Sequence, residues 1–358
     1  MAYTTIDDGS EYFHTQLYTG DGSSSNAITN DANAGNFKPD WLWIKCRSDA
    51  QHNQITDSTR GGNIGLRPNA NIGEFSGAST QFDSDGFTLL DTSNVINGSS
   101  KTYVAWQWVA NGGTTSSNSD GDITSTVQAN TTAGFSIVTY TGNGNGSDQT
   151  VGHGLGAECK VVLQTMRTDS GQSWRVFHES VSQSGGGNLF LNGTSGLDTG
   201  DPARIKSTNT STFTLLAYTS PYNAVNASGK DYIAYCFAEK KGYSKFGSYT
   251  GNGNADGAFG YTGFKPAWLL IKRTDSAQHW ILTDNTRNTF NVASKRLFPN
   301  LSDAEATSSG TNDFDLLSNG FKCRTNHVEI NTSGGTYVYM AFAEHPFVSS
   351  KGVPVTAR

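Results

Sequence analysis

An all-β fold is predicted, built as three tandem antiparallel β-sandwich repeats, jelly-roll or lectin-like, of about 100 residues each. Three observations lead there. Residues 37–60, FKPDWLWIKCRSDAQHNQITDSTR, return at 264–287 as FKPAWLLIKRTDSAQHWILTDNTR, and a degraded copy, VVLQTMRTDSGQSWRVFHE, lies between them at 161–179. Short runs rich in β-branched and aromatic residues alternate with Gly-Asn and Asp-Gly turn signals. No stretch carries sustained i, i+3, i+4, i+7 periodicity with caps.

Residues 1–11 form an N-terminal arm with three acidic residues, which either docks on a neighbour or frays. The first repeat spans 12–110. Its strand candidates include DWLWIKCRSD, QITDSTR, FDSDGFTLL and YVAWQW; in the last, Tyr103, Ala105 and Gln107 alternate with Val104, Trp106 and Trp108, the pattern of a half-buried strand. Residues 111–132, rich in Gly, Ser, Thr and Asn, read as a linker, flexible unless tied down. The second repeat spans 133–241 and the third 242–347; residues 348–358 are a polar tail. Tyr18, Tyr140 and Tyr249 mark one recurring strand, at intervals of 122 and 109 residues, so the units are domain-sized and not solenoid repeats of about 20–50 residues. Alternation places one face of each sheet in a core and the other outward. The pattern is equally compatible with three separate sandwiches and with strands exchanged between repeats.

Composition narrows the function. Charged residues make up 16% of the chain, against about 25% in ordinary globular proteins. The net charge of −6 lacks the clustered basic face of a nucleic-acid binder. There is no apolar run of membrane-spanning length, so no membrane insertion is expected. The start, MAYTTIDDGSEYF, lacks the pattern of a signal peptide, which points to synthesis and folding in a cytoplasm. Cys46, Cys159, Cys236 and Cys323 are far apart and outside any CxxC pair, and read as four free, buried thiols.

Candidate chemistry is sparse. Asp57 with Arg60 and Asp284 with Arg287 share a three-residue spacing that suits a salt bridge closing a turn or a polar pocket; the middle copy has His178 and no matching Arg. Trp41, Trp43 and Trp268 are core candidates by alternation, and Trp174 is the counterpart of Trp280. The acidic loops DSDG (83–86) and SDGD (119–122) lack a full calcium-loop pattern and read as turns. Glu239 and Glu344 end matching strands, with no second carboxylate placed beside them for glycoside hydrolysis. The Asn-x-Ser/Thr triplets at Asn97, Asn192 and Asn331 come cheaply from this composition and do not signal glycosylation. No nucleophile elbow, zinc-binding helix or phosphate loop is present. No catalytic residue, metal ligand or cofactor is assigned, and ligand-binding residues are not identifiable.

The opening MAYTTIDD, the motif PxWLxIK (39–45 and 266–272), the phrases NTTAGFSIVTYTGNG (130–144) and EKKGYSKFGSYTGNGNADGAF (239–259), and the strand ending YxYMAFAExPF (337–347) resemble a family of marine bacteriophage virion proteins, structural or tail-fibre in kind, over nearly the whole chain. That resemblance implies a non-enzymatic virion protein assembled in the host bacterial cytoplasm, most simply a tail-fibre or receptor-binding component. Its implied partners are other virion proteins and a host-surface glycan or outer-membrane protein, with homotrimerisation as for many fibres. A capsid decoration protein and a polysaccharide depolymerase are the rival expectations.

Overall fold

Apolar residues on both faces of a strand require partners on both sides, and the strands carrying the recurring motif have them. The computed structural model describes residues 4–31, 37–183, 186–220, 224–307, 310–311 and 313–353. Regular structure is nearly all β, in several sheets, with every pair of strands antiparallel and no sheet closed into a barrel. The sheets fall into three groups, each drawn from one continuous stretch of chain, with no strand exchanged between groups among the described residues.

In the first group, Phe13–Thr19, Thr102–Trp108, Trp41–Cys46 and Gln54–Asp57 lie side by side, extended by Ile64–Leu66 and Phe75–Ser76; a three-stranded sheet of Asn26–Ile28, Phe87–Leu89 and Thr80–Phe82 accompanies them. The third group repeats this order with Ser244–Thr250, Thr336–Pro346, Phe264–Arg273 and Ile281–Asp284, beside Phe259–Tyr261, Gly320–Cys323 and Phe314–Leu317. The second uses Phe135–Thr141, Asp231–Ala238, Cys159–Met166 and Arg175–His178, beside Gln149–Gly152, Thr212–Leu215 and Ile205–Thr208.

The second group also takes in Ser116–Asn118 and Ser125–Asn130, which pair in its large sheet. This pairing ties the linker down, so it is not the flexible form. Val127 and Gln128 are buried there, and the Gln128 carboxamide accepts from the Asn111 and Gly113 amides while donating to Ser58 and Thr59. Turn-like composition concealed a strand whose few apolar and amide side chains are enough to hold it.

Each large sheet is covered on both faces, which corrects the half-buried reading. In the first group Leu42, Ile44, Cys46, Tyr103 and Ala105 share a cluster with Ile28, Phe87 and Leu89 of the small sheet. Trp41, Trp43, Val104, Trp106 and Trp108, on the opposite face, enter a second cluster shared by all three groups. Its rings bridge the groups pairwise: Trp41 and Tyr235 at 4.7 Å, Phe237 and Phe342 at 5.8 Å, Trp108 and Trp268 at 5.6 Å between centroids. The N-terminal arm contributes as well. Ile6 is buried in the central cluster, Asp8 caps the short 3₁₀ turn Gly9–Glu11, and Asp7 bonds Ser350.

Candidate functional site

The three recurring strand pairs set up equivalent positions, because Trp41 faces Asp57, Val161 faces His178 and Trp268 faces Asp284 in the same register. At each position the side chain reaches into the next group. Asp57 accepts from the Tyr235 hydroxyl at 2.8 Å, and Asp284 from the Trp106 indole N–H at 3.1 Å. His178 Nε2 lies 3.1 Å from the Tyr339 carbonyl, which fixes the N–H on that nitrogen, and Nδ1 accepts from the Ser180 amide. The first group thus reaches the second, the second the third, and the third the first. One contact repeated head to tail around a closed ring is the geometry of cyclic symmetry.

A second set of contacts runs the opposite way. The Trp174 indole donates to the Arg67 carbonyl, the Trp280 indole to the Phe190 carbonyl, and Asn53, at the same position in the first group, donates to the Pro299 and Leu301 carbonyls. In each group an asparagine carboxamide oxygen accepts the amide of that residue: Asn69 from Asn53, Asn192 from Trp174, Asn300 from Trp280. All seven tryptophans are buried, Trp41, Trp43 and Trp268 among them.

Two seams are clasped by charge. Between the first and second groups, Arg60 holds Asp57 (2.6 Å) and reaches Glu74, which takes Arg167 through both carboxylate oxygens at 2.8 and 3.1 Å. Between the third and first, Arg287 holds Asp284 (2.6 Å) and Glu305 (3.0 Å), which takes Arg47 in the same bidentate way at 3.0 and 2.9 Å. Burial works to raise the Glu305 carboxyl, but Arg47 and Arg287 outweigh it and hold it below the usual carboxylate range. The paired Asp and Arg singled out in the sequence are therefore the inner half of a seam clasp, and Glu74, Glu305, Arg47 and Arg167 are the half that sequence reasoning missed.

The third seam has none of these charges. Between the second and third groups His178 replaces Asp and Val181 stands where Arg60 and Arg287 stand. Leu197 donates its amide to the Thr274 carbonyl just as Glu74 does to Arg167 and Glu305 to Arg47. Met340 occupies the place of Tyr235 and Trp106. Burial pushes His178 down to about 4, so it is neutral there. Lys45 and Lys272 also cross seams, donating to the Ser302 and Thr194 carbonyls, and burial lowers both to about 8.

The TGxG loops are built alike. Asn97, Asn226 and Asn331, all buried, accept the amides of Asp21, Asn143 and Asn252 and donate back to the same loops. Asn97 and Asn331 are thus internal loop clamps, which gives a physical role to triplets that resembled glycosylation sites. A Cβ on Gly20, Gly142 or Gly251 would lie 2.2–2.4 Å from a carbonyl oxygen of the facing loop, so only glycine fits. Asp83 closes the Thr80–Leu89 hairpin by accepting from Gln81 and Thr88, and Asp122 bonds Thr150. Glu239 pairs with Lys245; the Glu344 side chain lies outside the described residues. The four thiols are free and buried.

These features define a multi-sheet, antiparallel all-β protein whose most deeply buried ion pairs lie at the seams between its sheet groups. Within that class, the chain belongs to the family described as "Domain of unknown function (DUF7483)", which matches residues 8–346. No curated protein matches the chain, and neither does any solved structure.

Proposed function

We propose that this chain is a non-enzymatic structural protein of a bacteriophage particle, a tail-fibre or receptor-binding component, built as three β-sandwich units around one pseudo-threefold axis. The observation that carries the reading is the single hydrophobic cluster shared by all three sheet groups, closed by repeated seam contacts. Such a body holds three equivalent loop sets at one level around an axis, and several weak contacts presented together bind more tightly than any one of them. Buried thiols and buried ion pairs suit a protein that works outside a cell without disulfides. The resemblance of the sequence to virion proteins supplies the setting.

Labelling purified virions with an antibody to this chain and locating the label by electron microscopy tests the proposal. Label at the tail tip is the expected result. Label spread over the head replaces the receptor-binding role with capsid decoration, and absence from the particle overturns the virion role altogether.

A further inference from the structure

The seam between the second and third groups lacks the charged clasp and holds open space. A cleft of about 520 Å³ opens there, lined by Val181, Leu197 and Thr274, which stand where the other seams carry clasp residues, and by Ser180, Ser248 and Thr250. In the second group the hollow at the equivalent strand edge, lined by Thr139, Thr141 and Arg167 and flanked by Thr124, Ser125 and Thr126, measures about 190 Å³. The strand Ser125–Asn130 covers the edge of Phe135–Thr141, whereas Ser244–Thr250 is an edge strand, so the third group leaves this edge open toward Val181 and Leu197.

We infer that this cleft is a binding site for a neutral, hydroxyl-rich ligand, a single saccharide unit in size and chemistry. Its floor is apolar, from Val181 and Leu197. Its rim is hydroxylic, with Ser180, Ser248 and Thr250 exposed. Its one carboxylate, Asp275, is already held bidentately by Arg273 at 2.8 and 3.0 Å, so the lining offers no uncompensated charge. An apolar floor suits the C–H face of a pyranose, and a ring of hydroxyls suits its edge; a charged ligand would leave its own charge unpaired. The inference rests on this seam alone and stands or falls separately from the place of the chain in a virion.

The test is a ¹³C-methyl NMR titration of the full chain with galactose, mannose, N-acetylglucosamine and N-acetylgalactosamine, each to about 20 mM, a range that reaches millimolar affinities. At least one sugar is expected to shift the Val181, Leu197, Thr250 and Thr336 methyl signals saturably, and the two threonine methyls remain as reporters in the variants that follow. The triple variant Val181→Arg, Leu197→Glu, Thr274→Arg rebuilds the clasp of the other seams and is expected to weaken that binding at least about tenfold. Ser248→Tyr fills the rim without touching the seam, is expected to weaken binding in the same way, and decides the matter if the triple variant does not fold. No saturable shift with any of the four sugars, unchanged affinity in a folded filled variant, or tighter binding of N-acetylneuraminic acid than of every neutral sugar would each overturn the assignment.

Discussion

Replacing Arg287 by Met is the sharpest probe of the clasp. The substitution keeps most of the side-chain bulk and removes only the guanidinium. It leaves the Asp284 carboxylate fully buried, with the Arg287 backbone amide and the Trp106 indole as its remaining donors. Breaking a buried pair by removing one partner costs about 3–5 kcal/mol. The central cluster ties all three groups together, so unfolding is expected as one transition. At about 2.1 cal/mol/K per residue, 358 residues give an unfolding entropy of roughly 0.75 kcal/mol/K. The melting temperature of Arg287→Met is therefore expected to fall by about 4–7 °C in differential scanning calorimetry at pH 7. The double variant Asp284→Asn, Arg287→Met removes both charges and is expected to recover most of the loss, because an uncharged replacement of a buried pair is often close to neutral. Lys101, in an exposed pair with Asp49, is the control, and Lys101→Met is expected to leave the melting temperature unchanged. A drop of less than about 1 °C for Arg287→Met, or additive losses in the double variant, refutes the view that these charges hold the seam as a unit.

Two further outcomes are expected. His178 is held neutral by burial, with its pKa lowered to about 4 from 6.5. The unfolded chain takes up a proton as pH falls through about 6.5 while the folded chain does not until about 4, so native stability is full above 6.5 and declines between 6.5 and 4. The decline from this residue is worth roughly 3 kcal/mol. His153 is lowered by burial in the same sense, so the measurement is the difference between His178→Gln and the parent, whose melting temperatures are expected to converge as pH drops from 7 to 4.5. Gly251→Ala puts a methyl carbon 2.2 Å from the Thr332 carbonyl oxygen. Such overpacking costs about 1–3 kcal/mol, and limited proteolysis is expected to cut residues 251–257 faster than in the parent.

Much of the fold was legible because one strand pair recurs with its flanks intact. Alternation put Trp41, Trp43 and Trp268 on a buried face, and they are buried. The opposite face of the same strands was misread, because a sheet covered on both sides differs from a half-buried one only by residues such as Leu42, Ile44 and Ala105, each unremarkable alone. The clasp was legible only in its local half. Asp57 and Arg60 are three residues apart, whereas Arg47 and Glu305 are separated by 258. One signal was present, though: the repeats form an internal alignment. Where the motif keeps Asp and Arg, a Glu follows at Glu74 or Glu305; where it has His178 and Val181, Leu197 follows.

The placement of the seam without a clasp has a mechanical reason. Groups two and three are joined by the shortest covalent connection in the ring, from Ala238 at the end of one strand to Ser244 at the start of the next, with a turn in which the Ser244 amide donates to the Lys240 carbonyl. The chain itself keeps those two groups at high effective concentration, and a charged clasp adds least there. The third and first groups have no direct covalent link, so their seam depends on non-covalent contacts, the Glu305 amide on the Arg47 carbonyl among them. There the clasp is most deeply buried, and Asn53 and Lys45 reinforce it by donating to three carbonyls of the 299–302 segment. A ring closed by one strong non-covalent seam can leave another seam free of clasping duty, and in this chain the seam so released is the one that opens into a cleft.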